Sequence, residues 1–155
     1  MGRPRRLSEH QRLVWKTYRD VFRLMTSTLE AQLLRDAGLS GSEYGVLAEL
    51  SHAPDGVLRA RELCTQLGWD RSRVSHLIKR MEARGLVVRE ECAEDARGLM
   101  VRLTDVGRAA AEDAAPEHSE AIRRYFFDLL SSDEVETFET AFTRLLDRLE
   151  RDSVA

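Results

Sequence analysis

Apolar positions in this chain recur mostly at helical spacing, with one short interval of alternation. Val14, Tyr18, Val21, Phe22, Met25, Leu29 and Leu33 follow in steps of three and four, which predicts a long helix from Ser8 to about Asp36. Ser8 with Gln11 has the spacing of a capping box, and Gly38 supplies a stop. Tyr44, Leu47 and Leu50 give the buried side of a second helix, opened by a second capping box, Ser40 with Glu43, and ending near His52. Ala53-Pro54-Asp55-Gly56 reads as a turn and Leu58-Arg59 as a short strand. Arg61 to Leu67 reads as a third helix with Leu63 and Leu67 inward and Gly68 at its end. Asp70 is a good N-cap for a fourth, in which Val74, Leu77, Ile78 and Met81 form one apolar stripe. Gly85 suits its left-handed stop.

The pattern then changes. Leu86-Val87-Val88-Arg89 is rich in strand formers, and Leu99, Val101 and Leu103 alternate with Met100 and Arg102. Glu90 to Gly98 between them reads as a long, charged hairpin loop. Thr104 caps another helix, lined by Ala109, Ala110, Ala111, Ala114 and Ala115, which Pro116 is expected to kink or break. Tyr125, Phe126, Leu129 and Leu130 resume an apolar side. Ser131 with Glu134 opens a final helix to about Arg151, in which Val135, Phe138, Phe142, Leu145 and Leu149 make a heptad-like seam. Such a seam needs a partner, either the body of the same chain or a second copy. The predicted fold class is mainly α with a small antiparallel β-wing (α+β). Two helices joined by a short glycine-containing turn, then a hairpin, make a winged helix-turn-helix.

The fourth helix carries the candidate chemistry. Opposite its apolar stripe stand Ser72, His76 and Lys79, flanked by Arg73, Ser75 and Arg80. Arginine and lysine bond guanine edges or pair with phosphates, and serine and histidine bond bases or phosphate oxygens. A helix in the major groove presents mainly its N-terminal residues to the bases. Arg71, Ser72, Arg73, Ser75 and His76 are therefore the base-reading candidates, and Lys79 and Arg80 the phosphate contacts. A basic helix face is also common on ordinary surface helices, so the flanking turn and hairpin carry the distinction.

RSRVSHLIKRMEARGLVVRE, followed by EDARG and VRLTDVGR, resembles the MarR family of bacterial transcription regulators. The resemblance implies a recognition helix in the major groove and a wing with an Asp-x-Arg motif, here Asp95 and Arg97. Arg97 would then enter the minor groove while Asp95 orients it. A narrow A·T-rich minor groove concentrates negative potential and attracts arginine, in agreement. The resemblance also implies a single domain over 1–155, with 40–104 as the DNA-binding lobe and 8–36 and 105–151 as dimerisation helices. It implies a homodimeric repressor of palindromic operators. It further implies a small aromatic effector, for which Trp15, Tyr18, Arg19, Phe22 and Tyr44 are the candidate lining, though aromatic side chains at helical spacing are also ordinary core.

Composition refines this picture. The chain has 155 residues and a formal net charge of −3, so it is not basic throughout. Between 57 and 108, ten arginines and Lys79 face eight acidic residues, a local balance near +3 that leaves the remainder near −6. A basic lobe on an acidic body is the electrostatic footprint of DNA binding by one part of a fold. Residues 1–7 read as a loose basic arm. No apolar run is long enough to span a membrane and no signal-peptide core opens the chain, so cytoplasmic location is expected. Cys64 is expected to be buried and Cys92 exposed, which is no disulfide framework. His10, His52, His76 and His118 share no ligand motif, so no metal or cofactor is expected. Without a phosphate-cradling glycine loop or a nucleophile elbow, no enzyme is expected either. The rival reading is a winged-helix module that contacts protein instead of DNA.

Overall fold

In a computed structural model, residues 5–92 and 95–153 are described, with the side chains of 91–97 and 153 outside that description. The order of elements is α1 (Glu9–Ala37), α2 (Gly41–His52), β1 (Val57–Arg59), α3 (Ala60–Leu67), α4 (Arg71–Ala83), β2 (Val87–Cys92), β3 (Asp95–Leu103), α5 (Asp105–Tyr125) and α6 (Ser132–Ser153). Two compact units divide the chain, Met1–His118 and Ser119–Ala155. The fold is mainly α with a small antiparallel sheet, as the periodicity predicts.

Local chemistry sets the helix ends. The Ser8 and Ser40 hydroxyls accept from the amides of Gln11 and Glu43, and both capping boxes are complete. The Asp70 carboxylate accepts from the Arg73 amide at 2.9 Å. At the end of α4 the Gly85 amide donates to Glu82 and the Leu86 amide to Met81, with Gly85 at φ 72°. That is a Schellman stop, which glycine adopts without strain from a side chain.

The core of the first unit forms where α2, α3 and α4 meet the sheet. Val74, Leu77, Ile78 and Met81 are all buried, as their spacing requires, and pack with Leu47, Leu50, Leu63, Val87 and Val101. Burying each such side chain contributes about 1.5–3 kcal/mol, so this stripe holds α4 far more firmly than its surface ion pairs can. The strand order is β1-β3-β2, with both pairings antiparallel. Leu58 and Arg59, expected as a short strand, pair with β3 opposite Val101 and Met100.

Three expectations shift. The wing strands reach further than Leu86–Arg89 and Leu99–Leu103, into the stretch expected to be loop. Glu90 pairs with Met100 and Glu91 with Leu99, and an irregularity follows at Cys92. Charged residues on an exposed ribbon keep their ladder bonds because only the backbone makes them. Pro116 does not break α5, which runs on to Tyr125. Ala111 and Ala114 are buried just ahead of it, and that docking holds the helix across one missing backbone bond. Cys64 is half-buried and free, while Cys92 has its side chain outside the described residues, as residues 1–4 of the expected arm lie outside them altogether.

Most of the α1 stripe stays uncovered. Leu33 is buried, but Val14 is 53% exposed and Phe22 64% exposed. In the second unit the rings of Phe126, Phe138 and Phe142 meet in sequence at tilted angles, and Phe138, Phe142, Leu145 and Leu149 are all exposed.

The start of α5 is docked closely on the end of α4. The Thr104 hydroxyl donates to the Gly85 carbonyl at 2.7 Å and accepts from the Gly107 amide at 2.9 Å. A β-carbon at Gly107 would overlap the Leu86 carbonyl oxygen. Alanine is favoured over glycine within a helix by about 1 kcal/mol, but an overlap with backbone outweighs that gain. Gly107→Ala is therefore expected to lower stability by about 1–3 kcal/mol, read as a lower urea midpoint at constant slope. An unshifted or raised midpoint would mean that the two segments do not approach this closely.

Candidate nucleic-acid interface

The buried stripe of α4 turns its other side outward. Arg71, Ser72, Arg73, Ser75, His76, Lys79 and Arg80 are all exposed, on one continuous polar surface. The turn before it, Gly68-Trp69-Asp70, is held by the Trp69 amide on the Cys64 carbonyl at 3.0 Å. α3 and α4 thus form the expected helix-turn-helix.

Among the described residues, two of the seven polar side chains are engaged with neighbours. The Arg73 guanidinium lies 4.2 Å over the ring of Trp69, and its Nη2 donates to Ser42 Oγ at 3.4 Å. The Arg80 Nε stands 3.9 Å from Glu43. Trp69, Ser42 and Glu43 were not among the sequence candidates, because the contacts join α4 to a turn and to the start of a different helix.

Glu43 is the buried charge of this region, at 4% exposure. Its Oε2 accepts from the Ser40 amide at 2.9 Å and from the Ser40 hydroxyl at 3.0 Å. Its Oε1 accepts from Arg84 Nη1 at 2.9 Å. Arg84 Nη2 donates in turn to the Gly38 carbonyl at 3.0 Å. Burial pushes the Glu43 carboxyl up, but the Ser40 amide, the Arg84 guanidinium and the Ser40 hydroxyl together outweigh it and leave its pKa below the ordinary value. Glu43, the N3 partner in the capping box of α2, is therefore also a clamp that ties the end of α4 to the turn after α1.

The wing is fastened to α4 as well. The Arg89 amide and Nε both donate to Glu82, the latter at 2.7 Å. Across the ribbon, Arg102 donates twice to Glu90, at 2.7 and 3.0 Å, on a diagonal of the β2–β3 ladder. The backbone of Asp95 and Arg97 belongs to β3, while their side chains lie outside the described residues.

The candidate effector lining does not gather within one chain. Trp15, Tyr18 and Phe22 form an exposed ladder along α1, with centroids 5.3 and 6.4 Å apart, and Arg19 is exposed beside them. Tyr44 packs edge-on against His118 at 4.7 Å, and His118 Nδ1 meets Gln32 Oε1 at 3.0 Å. Gln32 is seventeen residues beyond Trp15 on the same helix, or about 25 Å of rise. Burial raises the Tyr44 pKa and lowers that of His118, which favours the neutral form of each. Among the described residues no cluster of three or more His, Cys, Asp or Glu is placed to hold a metal, and no helix is long and apolar enough to cross a membrane.

Comparison with known proteins agrees with this geometry. The model of the MarR family matches residues 37–98. The crystal structure of AbsC, a MarR family transcriptional regulator from Streptomyces coelicolor, is 35% identical, with a TM-score of 0.90 over 95% of this chain and 99% of that one. Sco3205, a MarR family regulator from the same organism solved in complex with DNA, is 35% identical, with a TM-score of 0.92 over 96% and 93%. The transcriptional repressor MprA of Escherichia coli K12 is 24% identical over 120 residues, 77% of this chain and 68% of its own.

Because its folded pKa is depressed, Glu43 contributes stability that is present above its unfolded value and lost as pH falls through the folded one. Glu43→Gln keeps the shape and removes the charge. It is expected to lower stability by roughly 1–3 kcal/mol at pH 7, with the gap to the parent protein closing below the ordinary glutamate value of 4.5. Urea unfolding of both proteins at neutral and acid pH measures this, and a gap of equal size at both would show that the charge is not what stabilises the clamp.

Proposed function

The chain belongs to the MarR family of transcription regulators, and from that premise we propose that it is a homodimeric, sequence-specific DNA-binding repressor of palindromic operators in the cytoplasm, relieved by a small aromatic effector. The observation that carries this reading is the α4 surface, where seven polar or cationic side chains stand exposed opposite four buried apolar ones. Sco3205, similar along nearly the whole chain, was solved with DNA bound, which supports the same partner here.

Roles follow from position. Arg71, Ser72, Arg73, Ser75 and His76 read base edges in the major groove, and Lys79 and Arg80 hold phosphates. Arg97 enters the minor groove beside them, oriented by Asp95. Residues 40–104 form the DNA-binding lobe, and 8–36 with 105–151 the dimerisation helices. The exposed apolar rows of α1 and α6 support the dimer, since contiguous apolar surface of this kind marks an interaction site. Two copies related by a two-fold axis place two recognition helices about one turn of DNA apart, which matches a palindrome.

Blocking promoter access accounts for repression, the role named for the relative MprA. An effector acts by favouring a dimer whose helix spacing misfits the operator. Trp15 stands about 25 Å of rise along α1 from the level of Gln32, where Tyr44 packs, so a site using all five draws on both copies.

Fluorescence anisotropy on DNA from upstream of the protein's own gene, against scrambled DNA at about 0.15 M salt, tests the reading. The expected result is selective binding by two chains per duplex, with log K falling against log salt at a slope near −0.9 per phosphate neutralised. Arg97→Ala is expected to weaken binding by about 1–3 kcal/mol, chiefly at sites with A·T-rich flanks. Unchanged affinity at those sites would rule out the minor-groove role, and equal, salt-insensitive binding to both duplexes would favour a protein-binding module.

A further inference from the structure

We propose that Trp69 is a positioning residue for sequence discrimination, holding the guanidinium of Arg73 by its face so that its edge is presented to a base. The inference rests on the DNA-reading role proposed for α4. Trp69 lies in the turn between α3 and α4, half-buried and packed against the core of the first unit. Its ring is therefore anchored, unlike the exposed aromatic side chains of α1. The Arg73 guanidinium sits 4.2 Å above it.

The geometry separates two uses of one group. A guanidinium carries its five N–H donors in its own plane, and stacking engages only the face. Stacking on Trp69 leaves every donor pointing sideways. One of them, on Nη2, reaches Ser42 Oγ at 3.4 Å, a long bond that steadies the group without saturating it. Asp70, the nearest carboxylate in sequence, is turned to the Arg73 backbone amide as the helix cap. Among the described residues Arg73 makes no ion pair, so its charge is not neutralised. A planar fork held flat, with donors free along one edge, is what bidentate contact with guanine O6 and N7 requires.

An arginine already held in place gives up less freedom on meeting its base. Random DNA, contacted through phosphates, gains less from a fixed fork. Trp69 is thus expected to act on specificity more than on overall affinity.

The test starts from a pool of duplexes randomised over about 20 base pairs, enough for two half-sites one turn apart, and enriched with the full-length protein. The enriched duplex and the starting pool then serve as specific and random probes. Trp69→Leu, which keeps an apolar group in the turn, is expected to lower the ratio of specific to random affinity by roughly three- to thirty-fold. Trp69→Phe is expected to retain part of the ratio. In an Arg73→Ala background, Trp69→Leu should bring no further loss. A ratio unchanged in Trp69→Leu, or a full additional loss in the Arg73→Ala background, overturns the proposal. A second readout needs no DNA. With Trp15→Phe leaving Trp69 as the sole indole, Arg73→Ala should change the Trp69 emission, and identical spectra would mean that the stack does not persist in solution. Failure to enrich any duplex would remove the DNA-reading role itself and the inference with it. Enrichment with an unchanged ratio removes only the part assigned to Trp69.

Discussion

Everything around α4 depends on the burial of one edge of it. Val74, Leu77, Ile78 and Met81 are all at most 4% exposed, and together their burial contributes on the order of 6–12 kcal/mol. Exposed ion pairs contribute about 0–1 kcal/mol each. The rotational setting of the helix is therefore decided by the core, and the polar edge faces outward as a consequence. The clamp through Glu43 and Arg84 and the staple through Glu82 and Arg89 then fix the helix against its neighbours.

What was legible in the sequence was mostly local. Caps at Ser8, Ser40, Asp70 and Ser131 act within three residues, so their spacing can be read directly. The α4 stripe and its outward residues follow from a single period. The strand at Leu58-Arg59 was placed by the Pro-Asp-Gly turn that precedes it. The length of the wing strands was less legible, because a ladder is continued by backbone bonds that the charged side chains of Glu90 and Glu91 do not report. The helix continues through Pro116, where a kink or break was expected, for a related reason. The proline's local effect is unfavourable, but the docking of Ala111 and Ala114 depends on residues distant in sequence.

The contacts that join elements were hidden. Arg73 to Ser42 and Arg84 to Glu43 span 31 and 41 residues, and no spacing rule reaches that far. Glu43 was visible as one half of a capping box, which uses one carboxylate oxygen and leaves the other free to do something else. The aromatic residues of α1 illustrate the opposite case. Their periodicity is as good as that of α4, yet they stand exposed, because a helical stripe specifies a face to be covered and not what covers it. Arg97 and Asp95 rest on motif spacing alone.

The division of α4 into a buried edge and an outward edge also bears on how such a protein diversifies after gene duplication. Among the described residues Ser72, Ser75, His76 and Lys79 make no side-chain tie to the core, so exchanging them leaves the scaffold's stability nearly untouched. Arg73 and Arg80 are different, since each also touches α2 or the turn before α4. Drift is therefore unequal along a single surface. Positions 72, 75, 76 and 79 can change in copies of this gene with little effect on the scaffold, while 73 and 80 change only together with the neighbours that hold them.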